Sequence, residues 1–463
     1  MRNSYRLRSL IVNWTPVAPE HQLERKKSVN CKSLMWLLCD CDNFFASCER
    51  VFAPHLEGKP IVILSNNDGC IIARSREAKA LGIKMGTPLY QVKDVLEKNN
   101  VAIFSSNYTL YGDLSHRVMS LLSKYSDKFY QYSIDEGFLD MSGFHSYEYI
   151  LDLARKCRHE ITQGVGIPVT LGIAPTKTLA KMASKFGKKY AGYKGVCMID
   201  TEEKRLKALE LFPIEDVWGI GRRISEKLKY YGVNTAKDFA EKKPEWVRRQ
   251  FSITGYRTWL ELNGKNAIDV EELPEKKSIC TSRSFADQGL CEQKDLEVAV
   301  ANYASRCAEK LRNQHSVCKL ITVFAYTSRF RTDLPSHYIN ISMPFEVATN
   351  DTREIIGVAV DVIRRNWQNN AKYYYKKAGV ILSEISSDKV VEQNLFDTKD
   401  RKKLNKLNKI VDTINKKRGF PTVRVATQYM SNRFMLKRDY LSRRYSTNLA
   451  ELIRIQGDKK SKK

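Results

Sequence analysis

YSIDEGFLDMSG, residues 132–143, sets Asp135 and Glu136 side by side in an otherwise apolar run. Tyr132, Ile134, Phe138, Leu139 and Met141 have the pattern of a buried strand and its return. Carboxylates without partners in such a setting cost on the order of several kcal/mol, unless something positive meets them. A turn open to water is the plainer reading, and these twelve residues alone do not separate the two.

The rest of the chain supplies the cation-seeking context. Asp40 ends an earlier hydrophobic strand in LLCDCD. With Asp135 and Glu136 it makes three acids on two segments able to neighbour each other in one sheet. Converging carboxylates repel one another, so such a group needs cations, and oxygen donors suit Mg²⁺ or Mn²⁺ rather than zinc. Two such ions about 3.5 to 4 Å apart activate an attacking oxygen and stabilise a leaving one. The formal net charge of +26 over 463 residues favours a polyanionic partner, nucleic acid before an acidic membrane surface. Phosphoryl or nucleotidyl transfer on nucleic acid is the chemistry that joins these features.

Length allows about three or four domains. The chain is 43% hydrophobic and 28% charged, an ordinary globular balance. No stretch approaches the roughly 20 apolar residues of a membrane span. The 11 cysteines are scattered without a CxxC pair, which speaks against a disulfide framework or a zinc site and for a reducing cytosol. Residues 1–34 show no sustained period and read as a flexible extension or an upstream start, with Met35 a natural beginning of the folded part.

Strands are expected at 36–39, 61–64 and 168–174, and helices at 75–83, 117–126, 147–163 and 177–189. Hairpins and crossovers mix, which favours an α+β domain over a doubly wound sheet. Residues 200–272 read as short helices. A second α+β unit runs over 279–386 after the charged linker EELPEKKS. The tail from 387 carries about half the net charge and reads as a solvated, partly disordered arm.

Lys79 on a helix and Lys177 just after a strand could grip a triphosphate near carboxylate-held metals, although each by itself reads sooner as a solvated surface lysine. PIEDVWGIGRRISEKLKYYGV, residues 213–233, is more specific. A proline opens a helix, Gly219 and Gly221 make a tight hairpin, and a basic amphipathic helix begins at Arg222 and Arg223. Such a helix-hairpin-helix lets backbone N–H groups approach DNA phosphates without reading sequence. An ordinary αα turn is the alternative.

LLCDCDNFFASCERVF, LSNNDGCIIAR, SSNYTLYGDLS, YSIDEGFLD, GIAPTKTLAK and VWGIGRRISEKL occur in the order found in Y-family translesion DNA polymerases. LSNNDGCIIAR and FSSNYTLYGDLS most resemble the UmuC branch. The resemblance covers about residues 35–440. It implies an error-prone polymerase of the SOS response with a right-hand architecture. The palm would span 35–51 and 111–199, the fingers 52–110, the helical thumb 200–272, and the little finger 279–386. It implies that Asp40, Asp135 and Glu136, with the Cys41 carbonyl, hold two Mg²⁺ ions. Asp42 shares a strand face with Asp40 but stays outside the metal set. Phe45 stands at the steric-gate position that excludes a ribose 2′-OH, beside Phe44, which belongs to the nucleotide region or the core. Lys79 and Lys177 match triphosphate-contacting positions.

The resemblance further implies primer-template DNA and deoxynucleoside triphosphates as substrates. A processed UmuD-type dimer, a RecA filament and the β sliding clamp would be partners. The location would be the bacterial cytoplasm at the nucleoid, with no membrane association. In 392–396, Glu-Gln-Asn-Leu-Phe, the pair Leu395–Phe396 retains the apolar end of a clamp-binding peptide while its first two positions depart. The rival classes are a metal-dependent nuclease, a nucleotide cyclase with a palm-like acid set, and a DNA-binding subunit without activity.

Overall fold

The computed structural model describes residues 34–144, 146–269, 275–286, 288–368, 372–389, 394, 397–418, 422–428 and 436–453. The first half opens with β1 (Trp36–Cys41), α1 (Phe44–Phe52), β2 (Ile61–Leu64), β3 (Ile71–Arg74), α2 (Arg76–Ala80), α3 (Leu89–Lys98) and β4 (Ala102–Ser105). It continues with α4 (Tyr108–Leu122), β5 (Phe129–Gln131), β6 (Glu136–Asp140), α5 (Tyr147–Val165), β7 (Val169–Ala174), α6 (Lys177–Lys189) and β8 (Val196–Met198). Short helices follow: α7 (Glu202–Leu211), α8 (Arg222–Tyr230), α9 (Ala236–Ala240), α10 (Pro244–Gln250) and α11 (Ile253–Leu262). The last third holds β9 (Ile279–Ser284), α12 (Gln293–Asn313), β10 (Ser316–Thr327), β11 (Tyr338–Thr349), α13 (Thr352–Asn366), β12 (Tyr375–Ser387) and α14 (Arg401–Arg418).

The chain divides into two compact units, and the boundary runs through the strands themselves. The larger unit comprises residues 38–138, 157–171 and 267–463. In it the central sheet is ordered β5-β6-β1-β7. A second sheet, β3-β2-β4, pairs β2 antiparallel to β3 and parallel to β4. Val62, Leu64, Ile71, Ala78, Ile83 and Leu96 form its core with helices α2 and α3. A third sheet, β11-β10-β12-β9, is antiparallel throughout. Its apolar face is covered by α12 and α13, which bury Leu296, Val300, Ala304, Leu311, Ile355 and Ile363. Long antiparallel strands with alternating burial and two helices on one face are what the period-2 and period-3.6 patterns dictate.

The smaller unit comprises residues 1–37, 139–156 and 172–266. In it β8 pairs with β7. Helix α6 packs unusually close to β7: a Cβ on Gly172 would sit 2.1 Å from the Ala180 carbonyl oxygen and 2.3 Å from the Ser184 nitrogen. Only glycine fits that approach.

Three expectations need correcting. Helix α4 starts at Tyr108, not near 117, because the Asn107 side chain accepts from the Leu110 N–H at 3.3 Å and caps it. The proline-led helix at 213 is only a single 3₁₀ turn, Ile214–Asp216. The C-terminal arm is largely exposed, as expected, but it is helical over Arg401–Arg418 and tied down at several points. Asn408 is buried and donates to the buried Asp351 at 2.9 Å, and Arg312 forks onto Asp412 with both bonds at 2.7 Å. Lys399 and Arg401 pair with Glu354. Glu354 lies on α13 and Asp351 caps it, both remote in sequence from the arm, so a local reading does not see these ties.

Candidate active site

The acids come from the end of β1 and the start of β6. The Cys41 N–H donates to the Asp135 carbonyl at 2.9 Å, which lays Asp40–Cys41 beside Asp135–Glu136. Ser133 shapes the turn before β6. Its hydroxyl accepts from the N–H groups of Asp135 and Glu136 at 3.1 and 3.0 Å and donates to the Asp135 carboxylate at 2.6 Å. The Tyr132 and Ser133 N–H groups both donate to the Glu136 carbonyl. The two acids therefore occupy a tight turn entering a strand, which joins the turn reading to the site reading.

Among the described residues no three His, Cys, Asp or Glu side chains are gathered closely enough to hold a metal ion. The donors nonetheless fit a hard divalent cation. They are carboxylates and one strand-end carbonyl, all oxygen. Asp42 is engaged differently: its carboxylate accepts from the Thr170 hydroxyl at 3.0 and 2.9 Å. Burial pushes the Cys39 and Cys48 thiols well up, so neither is a thiolate nucleophile.

Lys79 and Phe45 lie in the same unit as the acids. The Lys79 ammonium donates to the Asn43 side-chain oxygen at 2.6 Å. Asn43 takes a left-handed conformation just before α1, and so α2 is tied to the loop that follows Asp40. Phe45 lies in the first turn of α1, while Phe44 beside it is buried. The Phe45 ring is stacked on Tyr111 with centroids 4.6 Å apart and meets the edge of Tyr108 at 6.1 Å.

Lys177 belongs to the smaller unit and is not a solvated surface lysine. It is 2% exposed, its ammonium lies 3.8 Å from the centre of the Trp36 ring, and it donates to Asn266 at 3.4 Å. Helix α6 that carries it is capped by the Thr176 hydroxyl and by the buried Glu261 carboxylate, which accepts from the Thr178 N–H at 2.9 Å. In the same unit Gly219 has φ of +89°, Gly221 precedes α8, and Arg222 and Arg223 are exposed at its start. Arg222 pairs with Glu226 at 2.8 Å. Leu395 and Phe396 lie outside the described residues, as do Glu392 and Gln393.

Sequence reasoning missed Glu49, Asn107, Tyr111 and Ser442. Glu49 is 1% exposed, and its Oε1 accepts from the Tyr111 hydroxyl at 2.6 Å and from the Ser442 hydroxyl at 3.0 Å. Burial pushes its carboxyl up to about 7 against the pull of those two hydrogen bonds. The available signal was an acid on the apolar face of FFASCERVF, one helical turn from Phe45.

The fold matches a solved Y-family DNA polymerase, a chimera whose title reads Dbh-Dpo4(243-245)-Dbh. The TM-score is 0.60 at 24% identity, over 76% of this chain and 99% of that one. The fold is thus that of a Y-family polymerase. Models of the impB/mucB/samB family and of its C-terminal domain match residues 39–185 and 276–395. A domain of unknown function matches 405–455. The protein UmuC of Salmonella typhimurium is 40% identical over 91% of this chain and 100% of its own length. The protein MucB of Escherichia coli is 36% identical over 89% and 98%. A DNA polymerase IV of Halalkalibacterium halodurans is 27% identical over 83% and 91%. The chain belongs to the impB/mucB/samB family and is a Y-family DNA polymerase, which sets aside the nuclease, the cyclase and the inactive subunit. Among the described residues no helix is long and apolar enough to cross a membrane.

Proposed function

We propose that this error-prone translesion polymerase of the DNA-damage response joins deoxynucleotides to a primer end at Asp40, Asp135 and Glu136. The observation that carries the reading is the Cys41–Asp135 backbone bond at 2.9 Å, which sets the acid-bearing strand ends side by side. The three carboxylates and the Cys41 carbonyl would hold divalent cations, Mg²⁺ with Mn²⁺ able to substitute. When bound, such ions activate the attacking oxygen and stabilise the leaving one. Lys79 and Lys177 place positive charge for the triphosphate, and Phe45 forms the wall beneath its sugar. Gly219, Gly221, Arg222 and Arg223 meet the DNA backbone.

The palm is assigned to 35–51 and 111–199, the fingers to 52–110, the thumb to 200–272 and the little finger to 279–386. A processed UmuD-type dimer, a RecA filament and, through Leu395–Phe396, the sliding clamp are the proposed partners, on DNA in the cytoplasm. Primer extension on undamaged and abasic templates, with Mg²⁺ and all four deoxynucleotides, tests the reading. Extension opposite the abasic site is the expected result. Degradation of DNA without added nucleotide, and no extension with the partners present, would overturn it.

A further inference from the structure

The segment matched by the domain of unknown function ends in a stretch that clasps the elements carrying the proposed sugar wall. The Tyr440 N–H donates to the Ser105 hydroxyl at 3.0 Å, and the Ser105 N–H returns a bond to the Tyr440 carbonyl at 3.0 Å. The Asp439 N–H donates to the buried Asp68 carboxylate at 2.8 Å. Asn107 caps α4 with its oxygen and uses its amide nitrogen on Ser442 and Arg443, at 3.0 to 3.3 Å. Tyr445 stacks on Phe52 at the far end of α1, with centroids 4.8 Å apart and planes 12° apart.

Between these anchors runs a closed polar chain. The Ser442 hydroxyl and the Tyr111 hydroxyl donate to one oxygen of Glu49. Tyr111 is fully buried, and its ring is stacked on Phe45. A hydroxyl on the C-terminal segment is therefore two hydrogen bonds and one ring stack from the proposed gate. Buried hydrogen bonds of this kind fix a side chain in one rotamer, because the alternatives leave a desolvated carboxylate short of donors.

We propose that residues 439–445 act as a strap that positions the Phe45 gate, with Ser442 setting sugar selectivity through Glu49 and Tyr111. The inference rests on Phe45 being the sugar wall. Ser442 is a positioning residue, and it touches no substrate. Losing its bond releases one donor from Glu49, loosens Tyr111, and lets Phe45 retreat from a ribose 2′-OH. The packing that holds α1 against α4 stays in place. A strap that served only to hold the tail down would change stability and overall rate, and would leave the choice of sugar alone.

The test is single-nucleotide insertion of a deoxynucleotide and of the matching ribonucleotide by the full chain with its partners. Ser442→Ala, Ser442→Thr, Tyr111→Phe, their Ala–Phe double variant and Phe45→Ala are compared. A hydrogen bond to a charged group is worth on the order of ten- to a hundredfold in an equilibrium, which sets the upper limit for the rise in ribonucleotide preference. The expected result is a several-fold rise for Ser442→Ala with deoxynucleotide insertion little changed, restoration by Ser442→Thr, and a double variant no worse than the larger single one. An unchanged preference in Ser442→Ala and Tyr111→Phe, with a raised one in Phe45→Ala, would overturn the strap and leave the gate standing. An unchanged preference in Phe45→Ala would overturn the gate itself. If Ser442→Ala does not fold, Tyr111→Phe decides, since it removes one oxygen and keeps the stack.

Discussion

The ring of Tyr111 lies nearly parallel to that of Phe45, with planes 19° apart and centroids at 4.6 Å. The stack restrains the Phe45 ring on one face, which suits the wall proposed for it beneath the sugar. Replacing Phe45 by Ala removes the wall and leaves Tyr111 recessed. Ribonucleotide insertion should rise several-fold relative to deoxynucleotide insertion, with extension still measurable. Unchanged sugar discrimination would reduce Phe45 to a packing residue.

Asp135 and Glu136 enter β6 through a turn built mostly by the Ser133 hydroxyl accepting from their N–H groups and by backbone bonds, and the one side-chain bond, to the Asp135 Oδ1, has an equivalent acceptor in Asn. Asp135→Asn and Glu136→Gln should each keep the fold and primer-template binding. Each removes a charge proposed to hold a cation, and extension should fall at least about 100-fold. Chelating divalent cations should stop extension by the native chain in the same assay. A variant that extends primers at near-native rate would remove that residue from the proposed ligand set.

Much of this was legible beforehand, and the exceptions share a cause. The strand IVIL, helix α6 and the last sheet follow their hydrophobic period, since each is decided by neighbours within a few residues. The turn at Asp135–Glu136 was visible as acids among apolar residues. What sequence could not show depends on distant partners. Glu49 stands out as an acid on an apolar helix face, but its partner Ser442 lies 393 residues away, and the ties of the basic tail to Asp351, Glu354 and Arg312 are equally remote from a local reading. At 213–221 a local rule misled, because Pro213 promised a helix while Val217 already takes an extended conformation and ends it after one 3₁₀ turn.

Glu49 also predicts a pH dependence. Burial raises its carboxyl from the ordinary 4.5 to about 7, so the folded chain binds this proton more tightly than the unfolded one. Its contribution to stability is whole below about pH 4.5, falls as pH rises, and is gone above about pH 7. The swing is on the order of 3 kcal/mol at most. Glu49→Gln keeps an acceptor for Tyr111 and Ser442 but does not titrate. The Tm of the native chain minus that of Glu49→Gln should therefore be larger at pH 5 than at pH 8. A difference that stays flat across this range would mean that Glu49 is charged throughout.

Gly219 and Gly221 should separate folding from DNA binding. Gly219 has φ of +89°, and a Cβ there would sit 2.6 Å from the Thr258 hydroxyl. Gly219→Ala adds a left-handed strain and a clash, and should destabilise the smaller unit by about 1–3 kcal/mol. Gly221 has φ of −80°, and a Cβ there meets nothing within 4 Å. Gly221→Ala should change stability by no more than about 0.5 kcal/mol. If the hairpin brings its backbone against a phosphate at the start of α8, the added methyl must weaken primer-template affinity all the same. The same interface should lose affinity steeply as salt rises from about 50 to 200 mM, with little dependence on template sequence. Melting curves and equilibrium binding on both variants make the comparison. A Gly221→Ala chain that melts and binds as the native one does would take the hairpin out of the DNA contact, whatever Gly219→Ala shows.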